Sequence, residues 1–197
     1  MVNQIISFIR RKIFRMDKYR WDFQYINGRW DDLRTKEMER LFVTRDLLKK
    51  YNSGGNIFEI GCGEGILFQH IAEVDFSFFE GIDISEIAIA KALNSVKSVF
   101  KAADMETYIP INKPFTVIVL NEVLYYSKNP LKLLKRYIQF LEKDGVFLIG
   151  MYDTPKSKTI WQTISQDFIE LESVEVKQDS KIWYYKVLRA VNNNKKL

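Results

Sequence analysis

The sequence predicts an α/β domain in which a mostly parallel sheet is covered by helices on both faces. Three observations carry that reading. Ile57, Phe58 and Ile60 form a short β-favouring run that passes directly into glycines at 61, 63 and 65, as a buried strand delivering a ligand loop would. Further short apolar runs follow, and segments of helical spacing separate them, as crossover connections between parallel strands require. The first four runs end in the glycine loop, Asp83, Asp104 and Asn121-Glu122; in a parallel sheet such ends open on one edge and share one crevice.

Length and composition agree with one sizeable domain. The chain has 197 residues, 47% of them hydrophobic and 14% aromatic, enough to build a core. One cysteine, Cys62, and one histidine, His70, leave no disulfide framework and no Cys/His metal site, so no metal is expected and a reducing cytoplasm fits best. The net charge of +5 comes from the amino-terminal end, where Arg10, Arg11, Lys12, Arg15, Lys18 and Arg20 face only Asp17. The remainder is close to neutral, which argues against a nucleic-acid partner.

Taken in order, residues 1–50 read as an amphipathic and aromatic helical arm, residues 51–191 as the α/β domain and residues 192–197 as a polar tail. Val2, Ile5, Ile6, Ile9, Ile13 and Met16 recur at helical steps among basic residues. Residues 1–16 are too short and charged to span a bilayer; they would lie in an anionic membrane surface, or else pack on their own domain or on a second subunit. Tyr19, Trp21, Phe23, Tyr25 and Trp30 surround an Asn27-Gly28 turn and would either anchor the arm or lie over a ligand. A helix is expected over 35–51.

The next strands are expected at Ile57–Ile60, Phe78–Ile82, Val99–Ala103, Thr116–Leu120 and Val146–Met151. Helices are expected at Ile66–Ile71, at Glu86–Lys97 with Ser85 as its cap, at Leu131–Leu141 opened by Asn129-Pro130, and at Ile160–Leu171. Asp144-Gly145 reads as a turn. Val174–Val176 and Ile182–Val191, joined by the polar turn 178–181, read as a closing antiparallel hairpin.

The loop can be read in two ways. A dinucleotide fingerprint would place a small residue at position 66, where this chain has Ile66. Gly-x-Gly-x-Gly preceded by Glu59 instead resembles the first motif of class I S-adenosylmethionine-dependent methyltransferases, and the order of strand-end residues from Leu41 to Val191 resembles their fold. That fold is a Rossmann-like, seven-stranded, mostly parallel sheet whose last strand is antiparallel. Asn121 to Tyr126, Gly28-Arg29-Trp30 and Ile160-Trp161 resemble the small-molecule and glycan-type branch that includes nodulation N-methyltransferases.

The resemblance implies roles residue by residue. Gly61, Cys62 and Gly63 would face the methionine part of the cofactor S-adenosylmethionine, with Glu59 supporting the loop. Asp83 would hold the ribose, Ile84 would pack on adenine, Asp104 and Met105 would bind the adenine edge, and Asn121 would line the methyl-donor end. Glu122 is the first candidate for a base or substrate orienter. Tyr125 and Tyr126 would wall the acceptor pocket or pack beneath the following helix. Asp153 could line the acceptor side, and His70 would be a surface or cofactor-flanking residue rather than a general base. The implied activity is methyl transfer to oxygen or nitrogen of a small-molecule, sugar or glycan acceptor. A degenerate methyltransferase fold serving as a scaffold, and an NAD-dependent oxidoreductase, are the competing readings.

Overall fold

The computed structural model describes residues 17–31 and 38–191. The basic helix expected over residues 2–16 and the polar tail 192–197 lie outside the described residues, as does the start of the helix expected from Thr35. The elements are α1 (Asp17–Ile26), α2 (Met38–Tyr51), β1 (Ile57–Ile60), α3 (Ile66–Gln69), β2 (Phe79–Asp83), α4 (Glu86–Lys91), β3 (Ser98–Ala102), β4 (Phe115–Asn121), a 3-10 turn (Leu124–Tyr126), α5 (Pro130–Ile138), β5 (Leu141–Tyr152), α6 (Pro155–Ile164), β6 (Phe168–Gln178) and β7 (Lys181–Ala190).

The strands form one seven-stranded sheet in the order β3-β2-β1-β4-β5-β7-β6. Strands β1 to β5 pair in parallel, whereas β7 runs antiparallel to both β5 and β6. The centre follows from composition. In β4 every residue from Phe115 to Leu120 is buried, and a run of apolar, mainly β-branched side chains suits a strand covered on both faces. Alternate residues of β4 feed two cores, Ile118 and Leu120 on one face and Val117 and Val119 on the other.

Several boundaries differ from the sequence expectation, each for a local reason. The helix expected to reach Lys97 stops at Lys91, with Ala92 as its cap. The Asn94 side chain then accepts from the Phe100 amide at 3.0 Å and Ser95 bridges to Ser98, so these polar side chains build a turn in place of another helical one. The segment expected as helix to Leu171 divides. Thr154 and Ser157 form a reciprocal capping box with Pro155 in the first turn, and the helix ends at Ile164. Phe168 to Leu171 instead belong to β6, because β7 offers a partner along its whole length.

Leu141 likewise leaves α5 for β5. It pairs with Phe115, and the next pairing is Val146 with Val117, so the expected Asp144-Gly145 turn survives as an excursion within β5. A Cβ on Gly145 would meet the Phe115 carbonyl oxygen at 2.9 Å.

Two arrangements outside the sheet position the site. On α2, Arg40, Thr44, Leu47 and Leu48 form the buried face, which packs against β4, β5, β6 and β7. On α1, the Asp22 carboxylate accepts from the Ser85 hydroxyl at 2.5 Å and from the Ile87 amide at 3.3 Å. Lys18 pairs with Glu86. These bonds dock α1 on the start of α4 and bring Trp21 and Tyr25 over the sheet edge.

Candidate active site

The carboxyl ends of the strands open on a cavity of about 510 Å³. Along the sheet order its wall is supplied by Asp104 after β3, Asp83 from β2, the glycine loop after β1, Asn121 from β4, Tyr152 from β5 and Trp183 from β7. Of the residues named from sequence for the cofactor or the chemistry, Glu59, Gly61, Cys62, Gly63, Asp83, Ile84, Asp104, Met105, Asn121, Glu122, Tyr125 and Tyr126 line this one cavity. His70 and Asp153 are not among the lining residues. The His70 ring faces the Ile66 carbonyl at 2.8 Å, and Asp153 pairs with Lys158 at 3.1 Å.

The glycine loop turns sharply because the amides of Gly61 and Cys62 both donate to the Ile82 carbonyl, at 2.7 and 2.9 Å. Gly61 and Gly63 lie at φ of 76° and 53°, in the region that glycine enters without penalty. Space forbids a side chain as well. A Cβ on Gly63 would lie 2.7 Å from the Tyr25 hydroxyl, and one on Gly61 would lie 2.7 Å from Val123 Cγ2.

Asp83 holds the loop from the next strand. Its Oδ2 accepts from the Gly63 amide at 3.0 Å and its Oδ1 from the Ser85 amide at 2.9 Å, leaving lone pairs on both oxygens. Burial raises its carboxyl above the ordinary value, and those amides pull it back in part. Asp104 is exposed and accepts from the Glu106 amide at 2.8 Å. The Met105 carbonyl accepts from the Tyr137 hydroxyl at 2.9 Å and from Arg136 at 3.2 Å. The segment after β3 is thus tied down beside the cavity.

Glu122 is placed by backbone geometry that few side chains adopt, a φ of 54° directly after β4. Its Oε1 accepts from the Tyr152 amide at 2.6 Å and its Oε2 from the Tyr125 hydroxyl at 3.0 Å. The Arg40 guanidinium is 3.7 Å away. Burial raises the Glu122 carboxyl above its ordinary range, and Arg40, followed by the hydrogen bonds from Tyr125 and Tyr152, opposes that shift. Burial also drives the Tyr125 phenol strongly upward, with Glu122 adding to it. Tyr125 therefore serves as a neutral donor.

Sequence reasoning missed the floor beneath Glu122. Arg40 stacks its guanidinium 4.8 Å from the centre of the Trp183 ring, and Trp183 and Tyr185 line the cavity with it. Two signals were present: a polar pair, Arg40 and Thr44, at helical steps from Leu47 and Leu48, and large aromatics at alternate positions in the last strand. The aromatic arm closes another wall. Trp21 stacks on Trp30 at 5.7 Å and meets Tyr126 edge-on at 4.8 Å, and Tyr126 meets Tyr125 at 4.7 Å.

The chemistry of this wall fits an adenosyl amino acid. The loop backbone is bare where a ligand must approach closely. Asp83 offers a carboxylate to a diol. Among the described residues, Asn121 Oδ1 and Glu59 Oε2 are buried oxygens without hydrogen-bond partners, and both residues lie on the cavity wall.

Comparison with known proteins agrees. The family described as "Methyltransferase domain" matches residues 31–189. The chain is 28% identical to Nodulation protein S of Azorhizobium caulinodans over 120 residues, 58% of this chain and 57% of that protein. It is 26% identical to Malonyl-[acyl-carrier protein] O-methyltransferase of Bacillus anthracis over 156 residues, 77% and 54% of the two chains. The chain thus spans about half the length of these curated relatives.

Among solved structures, N-methyltransferase NodS from Bradyrhizobium japonicum WM9 in complex with S-adenosyl-L-homocysteine superimposes with a TM-score of 0.67 at 20% identity, covering 78% of this chain and 87% of that one. The plantazolicin methyltransferase BpumL in complex with the same compound gives 0.67 at 16% identity, covering 86% and 91%. These likenesses establish the fold. The family match over most of the chain places the protein: it belongs to the methyltransferase domain family.

Proposed function

We propose that this protein transfers the methyl group of S-adenosylmethionine to oxygen or nitrogen of a small-molecule or sugar-like acceptor. The observation that carries the reading is the continuity of one cavity from the glycine loop to Glu122, so that a donor on the loop would face an aromatic-walled space containing a held carboxylate. Gly61, Cys62 and Gly63 would carry the amino-acid part, Asp83 the ribose, Ile84, Asp104 and Met105 the adenine, and Asn121 the region of the sulfonium. When bound, the cofactor supplies a methyl group on a positively charged sulfur, open to in-line attack by a lone pair.

What the chain must add is placement and a destination for a proton. Trp21, Trp30, Tyr125 and Tyr126 exclude water and offer ring faces to an acceptor with an apolar face. Glu122 takes the acceptor's proton, directly or through the Tyr125 hydroxyl, which would receive that proton and pass its own to Glu122 Oε2 along their hydrogen bond. The described part of the expected arm, residues 17–31, lies over a catalytic unit of residues 51–191. Relatives named for an N-methyltransferase and for an O-methyltransferase both support the reaction class, and the acceptor pocket is where such relatives would differ.

The test is a screen of methyl-labelled S-adenosylmethionine against small-metabolite and glycan fractions. Label transfer by the parent, reduced about a hundredfold or more in Glu122→Gln, is expected. Calorimetry showing no affinity for S-adenosylhomocysteine would overturn the proposal.

A further inference from the structure

Glu59 is a buried carboxyl on the cavity wall that the proposed methyl transfer leaves without a role. It sits within β1, opposite Gly81 of β2 and Val119 of β4, and is 4% exposed. Its Oε2 is buried on the cavity wall with no hydrogen-bond partner among the described residues. The titratable groups that face it are Asp83 from the end of β2, Cys62 from the loop and Tyr25 from α1. None is a cation. Lys91, the cation nearest the loop's own acid, is bound to Glu64 at 2.6 Å. Arg40, which shares the cavity, stands 3.7 Å from the Glu122 carboxylate.

A carboxylate enclosed without a counter-charge is costly, and it escapes that cost by holding its proton. Burial and the neighbouring Asp83 accordingly push Glu59 up to about 8. The cavity nevertheless belongs to a cofactor with a positive sulfonium and a positive α-ammonium. We propose that Glu59 is the cavity's cation receptor, that it is protonated in the free protein, and that it releases its proton to solvent as the cationic cofactor binds. The O–H bond of the carboxyl breaks, the proton leaves on buffer, and the carboxylate left behind faces the incoming charge. This rests on the cavity accepting S-adenosylmethionine, as proposed above.

Linkage sets the sign. Because binding expels a proton, affinity rises with pH below about 8, by up to tenfold per pH unit, and levels off above it. The cation is either the ammonium, which S-adenosylhomocysteine retains, or the sulfonium, which it lacks.

Calorimetric titration near pH 7 in two buffers of different ionisation enthalpy counts the protons. About one proton is expected to leave per S-adenosylmethionine bound to the parent, and none with Glu59→Gln. Release with S-adenosylhomocysteine as well assigns the ammonium; release with S-adenosylmethionine alone assigns the sulfonium. Binding of both compounds with no buffer-dependent heat overturns the inference and leaves the methyltransferase reading intact. Equal release from Glu59→Gln overturns it too, since the proton then comes from elsewhere. Absence of binding by the parent removes the cofactor reading and this inference together. If Glu59→Gln does not fold, infrared difference spectra of the parent decide: loss of a protonated-carboxyl carbonyl band on binding supports the proposal, and an unchanged band overturns it.

Discussion

The Arg40 guanidinium stands 3.7 Å from the Glu122 carboxylate, and α2 is thereby tied electrostatically to the end of β4. Arg40 is held in turn by the Trp183 ring and by Tyr185. Its charge opposes the burial that would keep Glu122 protonated. If Glu122 is the base, activity falls as pH drops through its raised pKa. Arg40→Met is expected to move that acid limb to higher pH, whereas Arg40→Lys restores part of the shift. A pH profile of kcat/KM is the measurement; an unmoved limb with merely lower activity would reduce Arg40 to a structural role.

Gly63→Ala should weaken cofactor binding about tenfold or more while the protein stays folded. The residue sits at φ 53°, which costs a non-glycine residue roughly 1–3 kcal/mol, and the new methyl would meet the Tyr25 hydroxyl at 2.7 Å. Adding Tyr25→Phe removes the collision but not the backbone strain. Partial recovery of S-adenosylhomocysteine affinity in the double variant is therefore expected, measured by calorimetry.

Asp22→Ala should loosen the arm. It removes the acceptor of the Ser85 hydroxyl and the Ile87 amide, about 1–3 kcal/mol of docking, while the exposed Lys18–Glu86 pair that remains contributes little. Proteolytic cleavage within residues 17–31 is expected to accelerate well before the global unfolding midpoint changes.

Glu80 tests the frame beneath the site. It is 0% exposed and accepts from the Tyr108 hydroxyl at 2.8 Å, the Asn112 amide at 2.9 Å and the Ile111 amide at 3.2 Å. Glu80→Leu leaves those donors without an acceptor, so a loss of roughly 2–4 kcal/mol in urea unfolding is expected, together with exposure of the Thr107–Asn112 segment to hydrogen exchange.

Glu59 also makes a prediction for the ligand-free protein. Its folded pKa is raised from the ordinary 4.5 to about 8. Its contribution to stability is therefore complete below 4.5 and lost as pH climbs toward 8. Unfolding free energy measured across that window should decline more steeply in the parent than in Glu59→Gln.

Much of this was legible in the chain because local signals and global fold agreed. The apolar runs ending in Gly61, Asp83, Asp104 and Asn121 each carried their own periodicity, and parallel pairing then required their ends to share one edge. Helix ends were less legible. Whether Phe168 to Leu171 continued a helix or paired as a strand depended on β7, more than ten residues away, and no local propensity encodes a partner.

The sequence by itself determined the fold class and the strand ends that form the cavity wall, since each depends on short-range pattern or on a loop only glycine can make. Only the tertiary structure decided what surrounds Glu122. Arg40, Tyr125, Tyr152 and Trp183 come from four separate segments, and the protonation of a buried carboxylate is set by the charges and donors that packing brings beside it. The same holds for Glu59: its place before the glycines could be read from the chain, but that its Oε2 is enclosed without a partner among the described residues was a fact of packing alone.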